Sequence, residues 1–161
     1  MTKLHEYRTT LWWTGNLGTG TSHYTAYARD HEISGPGKAA IIEGSSDKHF
    51  RGDGSRYNPE ELLVASLSQC HMLWYLHLCA VNEVVVEAYE DSASGTMLEE
   101  QDGSGRFTQA VLRPLVTISY ESDIERAKEL HHEAARFCFI AKSVNFPVTH
   151  EPSVLRGPRQ E

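Results

Sequence analysis

The segment that decides the fold runs from Asn58 to Val81 and reads NPEELLVASLSQCHMLWYLHLCAV. Asn58 is a good N-cap, and Pro59 suits the first helical position, where no backbone amide is needed. Glu60 and Glu61 complement the positive end of the helix dipole. Beyond the first turn few polar side chains interrupt the apolar run, so we predict a long core helix that is enclosed nearly all round.

Length and charge narrow the class of protein. A chain of 161 residues is usually one domain with a substantial core, so we predict a single domain over residues 1–161. The net charge is −7 and the pI is near 5.7, so the chain lacks the excess of positive charge that favours binding to nucleic acid or to an anionic membrane. Two glutamates, two histidines and a Ser-Gln pair argue against a membrane span for the core helix. The composition therefore favours a small-molecule role.

Cysteine usage indicates the compartment. Three cysteines are too few for a disulfide framework, and the first twenty residues contain no apolar run typical of an export signal. We expect a cytoplasmic protein, in which a disulfide would be catalytic or transient.

The rest of the chain predicts alternating strands, turns and one further helix. We predict strands at 7–13, 23–29, 39–42, 84–89, 106–120 and 148–151, with Pro114 interrupting the fifth. Residues 47–57 read as a loop that leads into the core helix. A second, amphipathic helix is capped by Asp123 and runs to about residue 144, and the chain beyond residue 151 reads as a frayed tail. This order of elements predicts an α+β fold.

The three cysteines have different surroundings in the sequence. Cys70 lies in the middle of the core helix beside polar residues, whereas Cys79 lies in a purely apolar stretch and reads as an inert core residue. Cys138 lies on the second helix, 68 positions after Cys70. Packing the apolar faces of the two helices together would allow the roughly 5.5 Å Cα separation of a disulfide, although the sequence alone does not establish the pair.

A metal site is the alternative use of these cysteines and their histidine neighbours. No CxxC, HxxxH or HExxH spacing is present, and Cys70 and His77 are about two helical turns apart, too far to share one ion. We expect His131 and His132 to place one ring at the edge of the core and one in water. The glycine-rich turns lack a dinucleotide or P-loop pattern, so no metal and no cofactor are predicted.

Two segments carry a family resemblance. NPEELLVASLSQC, at 58–70, and HHEAARFCFIAKSVNFPV, at 131–148, resemble the two motifs of the osmotically inducible protein C (OsmC) and organic hydroperoxide resistance protein (Ohr) superfamily. The resemblance implies an intertwined homodimer of α+β subunits, with mostly antiparallel sheets wrapped around long central helices. It also implies a thiol peroxidase that reduces organic hydroperoxides and is restored by an external dithiol.

The resemblance assigns roles by motif position. Cys70 matches the peroxidatic cysteine, Cys138 the resolving cysteine and Glu60 the acidic partner. Arg51 is the best match to the arginine upstream of the helix. Family members often carry proline after the second cysteine, where this chain has Phe139.

The arginine and the glutamate raise a problem of distance. A cysteine buried in an apolar helix has a raised pKa unless a cation stabilises its thiolate, and Glu60 would hold that cation. Ten helical residues rise about 15 Å, so Glu60 and Cys70 cannot share one arginine along a straight helix. Either the helix breaks after its first turn, or the partner subunit contributes one of the groups. Arg29 and Arg56 are alternatives to Arg51.

The sequence therefore predicts a cysteine-based peroxide reductase in which Cys70 forms a sulfenic acid that condenses with Cys138. The alternative is a non-enzymatic binding protein that holds a small hydrophobic molecule in the dimer groove, with both cysteines as core residues.

Overall fold

The computed structural model of the protein describes residues 2–159, which form two compact units, 2–62 and 63–159. Helices and strands are both present, and four of the six strand pairings are antiparallel. The predicted α+β class with mostly antiparallel sheets is confirmed. The single domain stays a prediction.

The first unit contains a three-stranded antiparallel sheet in the order β1-β2-β3. Its strands are β1 (Thr10–Trp13), β2 (His31–Ser34) and β3 (Ile42–Gly44). The strand predicted at 7–13 is confirmed over its second half, and the one predicted at 39–42 lies slightly later in the chain.

The strand predicted at 23–29 is wrong, because this segment forms turns. The guanidinium of Arg29 donates to the backbone carbonyls of Tyr27, at 2.6 Å, and Tyr24, at 2.9 Å. The Trp13 indole donates to the carbonyl of Ala28 at 2.9 Å. Side chains therefore occupy carbonyls that a strand would need for its ladder.

Residues 47–57 form the predicted loop, which contains a 3₁₀ turn at Lys48–Phe50. Helix α1 (Pro59–Val81) follows. The side-chain oxygen of Asn58 accepts from the Glu61 amide at 2.7 Å, and the Glu61 carboxylate accepts from the Asn58 amide at 3.1 Å. This reciprocal capping box explains why the helix begins here.

Within one chain, helix α1 is not enclosed all round, so its predicted enclosure needs a second copy and stays a prediction. Its buried residues form a single stripe: Leu67, His71, Tyr75, Leu78 and Cys79. Leu73 and Val81 on other faces remain 60% and 62% exposed. The apolar character of α1 therefore exceeds what its own chain covers.

The second unit contains two three-stranded sheets, ordered β4-β7-β9 and β5-β6-β8. The strands are β4 (Val86–Asp91), β5 (Ser94–Glu99), β6 (Gly105–Leu112), β7 (Pro114–Ile118), β8 (Val148–His150) and β9 (Ser153–Arg156). Pro114 opens β7, a position that needs no ladder amide, so the predicted interruption at this proline is confirmed.

Strands β2, β5 and β9 were not predicted from the sequence. Strand β5 pairs with β6 although its residues are exposed, so the pairing rather than burial defines it. The predicted frayed tail is wrong in part, because β9 pairs in parallel with β7 and buries Val154 in the core. A single buried side chain in a polar tail gives little periodic signal.

Helix α2 (Ile124–Phe137) begins at the predicted cap, where the Asp123 carboxylate accepts from the amides of Glu125 and Arg126. It ends at Phe137, seven residues before the predicted end. Beyond it, Ile140, Ala141, Val144 and Phe146 pack against a buried cluster of Leu67, Ala110 and Leu112. The helix stops because the chain must turn to bury these side chains.

Candidate functional site

The structure brings Cys70 and Cys138 together. Cys70 is partly exposed in the middle of α1, and Cys138 is buried at the C-cap of α2. Burial raises the pKa of the Cys138 thiol to about 11, and the neighbouring Cys70 side chain contributes to this rise. The two side chains are therefore close enough to interact. Both thiols are reduced.

The turn after α2 presents the Cys138 sulfur without a proline. The backbone of Cys138 is extended, with ψ at 108°, while its amide still donates to the Ala134 carbonyl at 3.0 Å. The sulfur accepts from the Ala141 amide at 3.4 Å. Phe139 therefore replaces the proline without loss of an ordered turn, and the location of Cys138 inside a helix, as predicted, is corrected to the helix end.

Three aromatic side chains adjoin the cysteine pair. Trp74 lies one turn after Cys70, and its ring stacks on Phe137 with centroids 5.1 Å apart and meets Phe139 edge-on at 5.5 Å. Phe137 and Phe139 flank Cys138 and are 43% and 67% exposed. The surface that adjoins Cys138 is therefore apolar.

Cys79 lies apart from this arrangement. It is 1% exposed within the core cluster that surrounds Tyr75, and burial raises the pKa of its thiol. A neutral thiol in an apolar setting is unreactive. The prediction that Cys79 is a core residue agrees with this environment.

The first unit places two candidate arginines around one ring. The guanidinium carbon of Arg29 lies 4.5 Å from the centroid of the Tyr24 ring and 4.1 Å from that of Tyr27. The guanidinium carbon of Arg51 lies 5.9 Å from the centroid of the Tyr24 ring. Neither arginine forms an ion pair with a carboxylate in the part of the chain that the structure describes. Their charges remain available to an anion.

Arg51 has an unusual backbone. Its φ of 65° lies in the left-handed region, which few residues other than glycine adopt, and its amide donates to the Lys48 carbonyl at 3.0 Å. The loop therefore holds Arg51 at the end of a 3₁₀ turn, with its side chain exposed.

Arg56 has a different role. Its guanidinium lies 3.9 Å from the Asp30 carboxylate, 3.6 Å from that of Glu43 and 3.8 Å from that of Asp53. Three carboxylates neutralise this arginine, so of the three candidates it is the least available to stabilise a thiolate.

Glu60 does not pair with Arg51 inside the described chain. The neighbouring Glu61 forms the capping box, and Glu60 remains partly buried. Helix α1 is continuous from Pro59 to Val81, so the proposed break after its first turn is wrong. Of the two arrangements considered for Glu60, the contribution from a partner subunit stays a prediction.

Two buried histidines contact each other, and this contact was not predicted from the sequence. His71 and His131 are fully buried, and Nε2 of His71 lies 3.1 Å from Nδ1 of His131. Burial lowers the pKa of each to about 3. His132 is exposed, which confirms the expected division between His131 and His132. The signal for His71 was its place on the stripe shared by Leu67 and Tyr75.

These histidines do not form a metal centre with the cysteines. No group of three or more histidine, cysteine, aspartate or glutamate side chains among residues 2–159 has a metal-binding arrangement. The imidazole rings of His71 and His131 are nearly parallel, at 9°, which points their nitrogens at each other rather than at a common ion.

Residues 52–153 match the family described as OsmC-like protein. Among solved structures, an OsmC-like protein of unknown function from Vibrio cholerae is similar to this chain, with 31% sequence identity and a TM-score of 0.83. That similarity covers 93% of this chain and 100% of the other. No match was found among curated protein sequences.

More distant structures share the fold. An organic hydroperoxide resistance protein from Elizabethkingia anophelis has 16% identity and a TM-score of 0.68, covering 98% of this chain and 100% of its own. An organic hydroperoxide resistance protein OsmC from Legionella pneumophila has 15% identity and a TM-score of 0.65, covering 94% and 98%. The predicted OsmC and Ohr fold is confirmed.

Helix α1 is long and apolar enough to cross a membrane by length and composition, with a mean hydropathy of 1.2 over its most apolar window. This is weak evidence for a membrane span, because core helices of soluble proteins meet the same criterion.

Proposed function

The chain belongs to the OsmC family, and from this premise we propose that it is a cysteine-based peroxidase that reduces organic hydroperoxides. The observation that carries the proposal is the close approach of the side chains of Cys70 and Cys138, two cysteines 68 positions apart. A partly exposed thiol beside a buried thiol with a raised pKa matches the arrangement that a peroxidatic and a resolving cysteine require.

The first chemical step oxidises Cys70. Its thiolate attacks the terminal oxygen of the hydroperoxide, an S–O bond forms and the O–O bond breaks. Two electrons pass from sulfur to the peroxide. The organic fragment leaves as an alkoxide, takes up a proton and becomes the alcohol, and Cys70 becomes a sulfenic acid.

The second step uses Cys138. Its thiol attacks the sulfenic sulfur, the S–S bond forms and the hydroxyl leaves as water with the thiol proton. The raised pKa of Cys138, about 11, keeps this thiol protonated and unreactive until Cys70 has been oxidised. An external dithiol then exchanges with the disulfide, becomes oxidised itself and restores both thiols.

The Cys70 thiolate needs a cation, and Arg51 with Glu60 remains our assignment. Arg51 has no carboxylate partner within residues 2–159, so its guanidinium is available to an anionic sulfur. Arg29, whose guanidinium also lies over the ring of Tyr24, is the main alternative to Arg51. Glu60 would orient the guanidinium by a bidentate pair. Because α1 is continuous, the partner subunit supplies one of these groups to the site.

This arrangement requires a homodimer, which also accounts for the apolar surface of α1. Leu73 and Val81 expose 60% and 62% of their surface in one chain. A second copy that covers α1 would bury them, at about 1.5 to 3 kcal/mol for each side chain buried completely. We place the homodimer in the cytoplasm, where a dithiol reductant is present.

Steady-state kinetics test the proposed function. Reduction of cumene hydroperoxide and tert-butyl hydroperoxide should exceed that of hydrogen peroxide, with a dithiol as electron donor, because the approach beside Trp74 and Phe139 is apolar. Absence of turnover with all three peroxides, and unreactive Cys70 and Cys138 at neutral pH, would favour a non-enzymatic binding protein for a small hydrophobic molecule.

A further inference from the structure

The His71–His131 contact joins the two helices that carry the cysteine pair. His71 follows Cys70 directly on α1, and His131 lies seven residues before Cys138 on α2. The side chains are 0% and 1% exposed, and the two nitrogens that face each other are 3.1 Å apart. This hydrogen bond therefore joins α1 to α2 next to Cys70 and about two helical turns before Cys138.

The contact is costly for stability. Nδ1 of His71 and Nε2 of His131 are buried without a hydrogen-bond partner among residues 2–159. In either arrangement of the shared proton, one ring keeps an unpaired N–H and the other an unpaired lone pair. Each unsatisfied buried group lowers the stability of the fold, whereas two apolar side chains of similar size would be neutral or stabilising. Stability alone does not explain a polar pair here.

The neighbouring rings restrict the pair to one geometry. Tyr75 stacks on His131 with ring centroids 3.8 Å apart, and its hydroxyl donates to the Ala127 carbonyl at 3.1 Å. The ring of His150 packs against that of His71, with centroids 4.3 Å apart and planes tilted by 36°. Apolar helices can slide past one another at little cost, but a directional bond inside a stack selects a single register.

We propose that His71 and His131 are positioning residues that hold Cys138 within bonding reach of Cys70. A slip of one helical turn would move a side chain by about 5.4 Å. A disulfide tolerates Cα separations of only about 4.4 to 6.8 Å, so such a slip would prevent closure. In the catalytic cycle, which rests on the proposed function, the pair accelerates the condensation of the Cys70 sulfenic acid with the Cys138 thiol, which releases water.

The test measures how readily the disulfide closes without any peroxide. In glutathione redox buffers, oxidised glutathione accepts two electrons from Cys70 and Cys138, and the equilibrium gives the effective concentration of one thiol toward the other. The double variant His71→Leu/His131→Leu should lower this concentration at least tenfold while its urea midpoint stays equal or rises. The exposed His132→Leu is the matched control and should change neither quantity.

A second set of variants separates geometry from mere bulk. A glutamine amide mimics Nε2 and an asparagine amide mimics Nδ1, so His71→Gln/His131→Asn should retain the hydrogen bond and a nearly unchanged effective concentration. In the inverted pair, His71→Asn/His131→Gln, neither amide reaches the position of the ring nitrogen that it should replace. The effective concentration should therefore fall tenfold or more. These two variants decide the question if the leucine variant fails to fold.

Closure of the disulfide at the unaltered effective concentration in the leucine variant, or in the inverted pair, would overturn the proposal. Failure of the proposed function is a different result. The unaltered protein could consume no hydroperoxide while the effective concentration of the thiols in glutathione buffer still falls tenfold in the leucine variant. In that case the positioning role holds and the peroxidase assignment does not.

Discussion

The buried histidine pair makes the protein sensitive to mild acid. His71 and His131 have a pKa of about 3 in the folded state because burial disfavours their charged forms. Their ordinary value is 6.5, which the unfolded chain regains. Below pH 6.5 the unfolded state therefore binds more protons than the folded state. As the pH is lowered, the free energy of unfolding falls until the pH approaches 3.

The magnitude follows from the shift. Each histidine lowers the free energy of unfolding by about 1.4 kcal/mol per pH unit inside this window. Between pH 7 and pH 5 the loss is about 2 kcal/mol for one histidine and about 4 kcal/mol for two that act independently. Because a typical domain is stable by only about 5 to 15 kcal/mol, the change is large.

Urea unfolding at pH 7, 6 and 5, at fixed ionic strength and protein concentration, measures the effect. With an m-value of about 2 kcal/mol per molar, the midpoint should fall by about 1 to 2 M between pH 7 and pH 5. The carboxylates with a lowered pKa, Asp47, Asp53 and Asp102, lose their contribution only below about 3.8, outside this range.

Two variants provide the controls. His71→Gln/His131→Asn removes both ionisable groups and keeps the hydrogen bond, so most of the pH dependence should disappear. His132→Gln, at the exposed neighbour, should keep it. A midpoint that is constant from pH 7 to pH 5 in the unaltered protein, or an undiminished slope in the double variant, would refute the reasoning.

Three further predictions concern the arginines, Cys79 and the dimer. Arg51→Ala should slow hydroperoxide consumption at least about tenfold with the fold intact. Arg56→Ala should leave the rate nearly unchanged, because three carboxylates neutralise Arg56. A slower rate in Arg56→Ala but not in Arg51→Ala, or in Arg29→Ala alone, would show that the arginine is wrongly assigned. Cys79→Ser should lower the free energy of unfolding by about 1 to 3 kcal/mol and retain turnover, and loss of turnover in a folded variant would contradict its role as a core residue. Sedimentation at micromolar concentration should give a dimer that Leu73→Asp weakens, whereas a monomeric mass for the unaltered protein would exclude the obligate dimer.

Local signals in the sequence were enough to predict the elements that carry the site. Asn58 and Pro59 located the start of α1, and Asp123 located the start of α2, because caps depend on adjacent residues only. The pairing of Cys70 with Cys138 followed from the family resemblance rather than from periodicity. In the structure the Cys70 side chain is close enough to help raise the pKa of Cys138, which agrees with that expectation.

Features that depend on distant contacts were beyond the sequence. The early end of α2 at Phe137 results from packing of the following segment on a second cluster. The segment 23–29 resembles a strand in composition, but Arg29 occupies its carbonyls. The His71–His131 bond joins residues 60 positions apart, and no local pattern predicts which of several histidines will meet.

The central claim is that Cys70 and Cys138 form one redox pair within a chain. Mass spectrometry after one equivalent of cumene hydroperoxide tests it most directly. We predict a loss of two hydrogens, mapped to a peptide that links Cys70 to Cys138, no change in Cys70→Ser, and an overoxidised Cys70 in Cys138→Ser under excess peroxide. A bridge that involves Cys79, or an unmodified Cys70 under excess peroxide, would contradict the account.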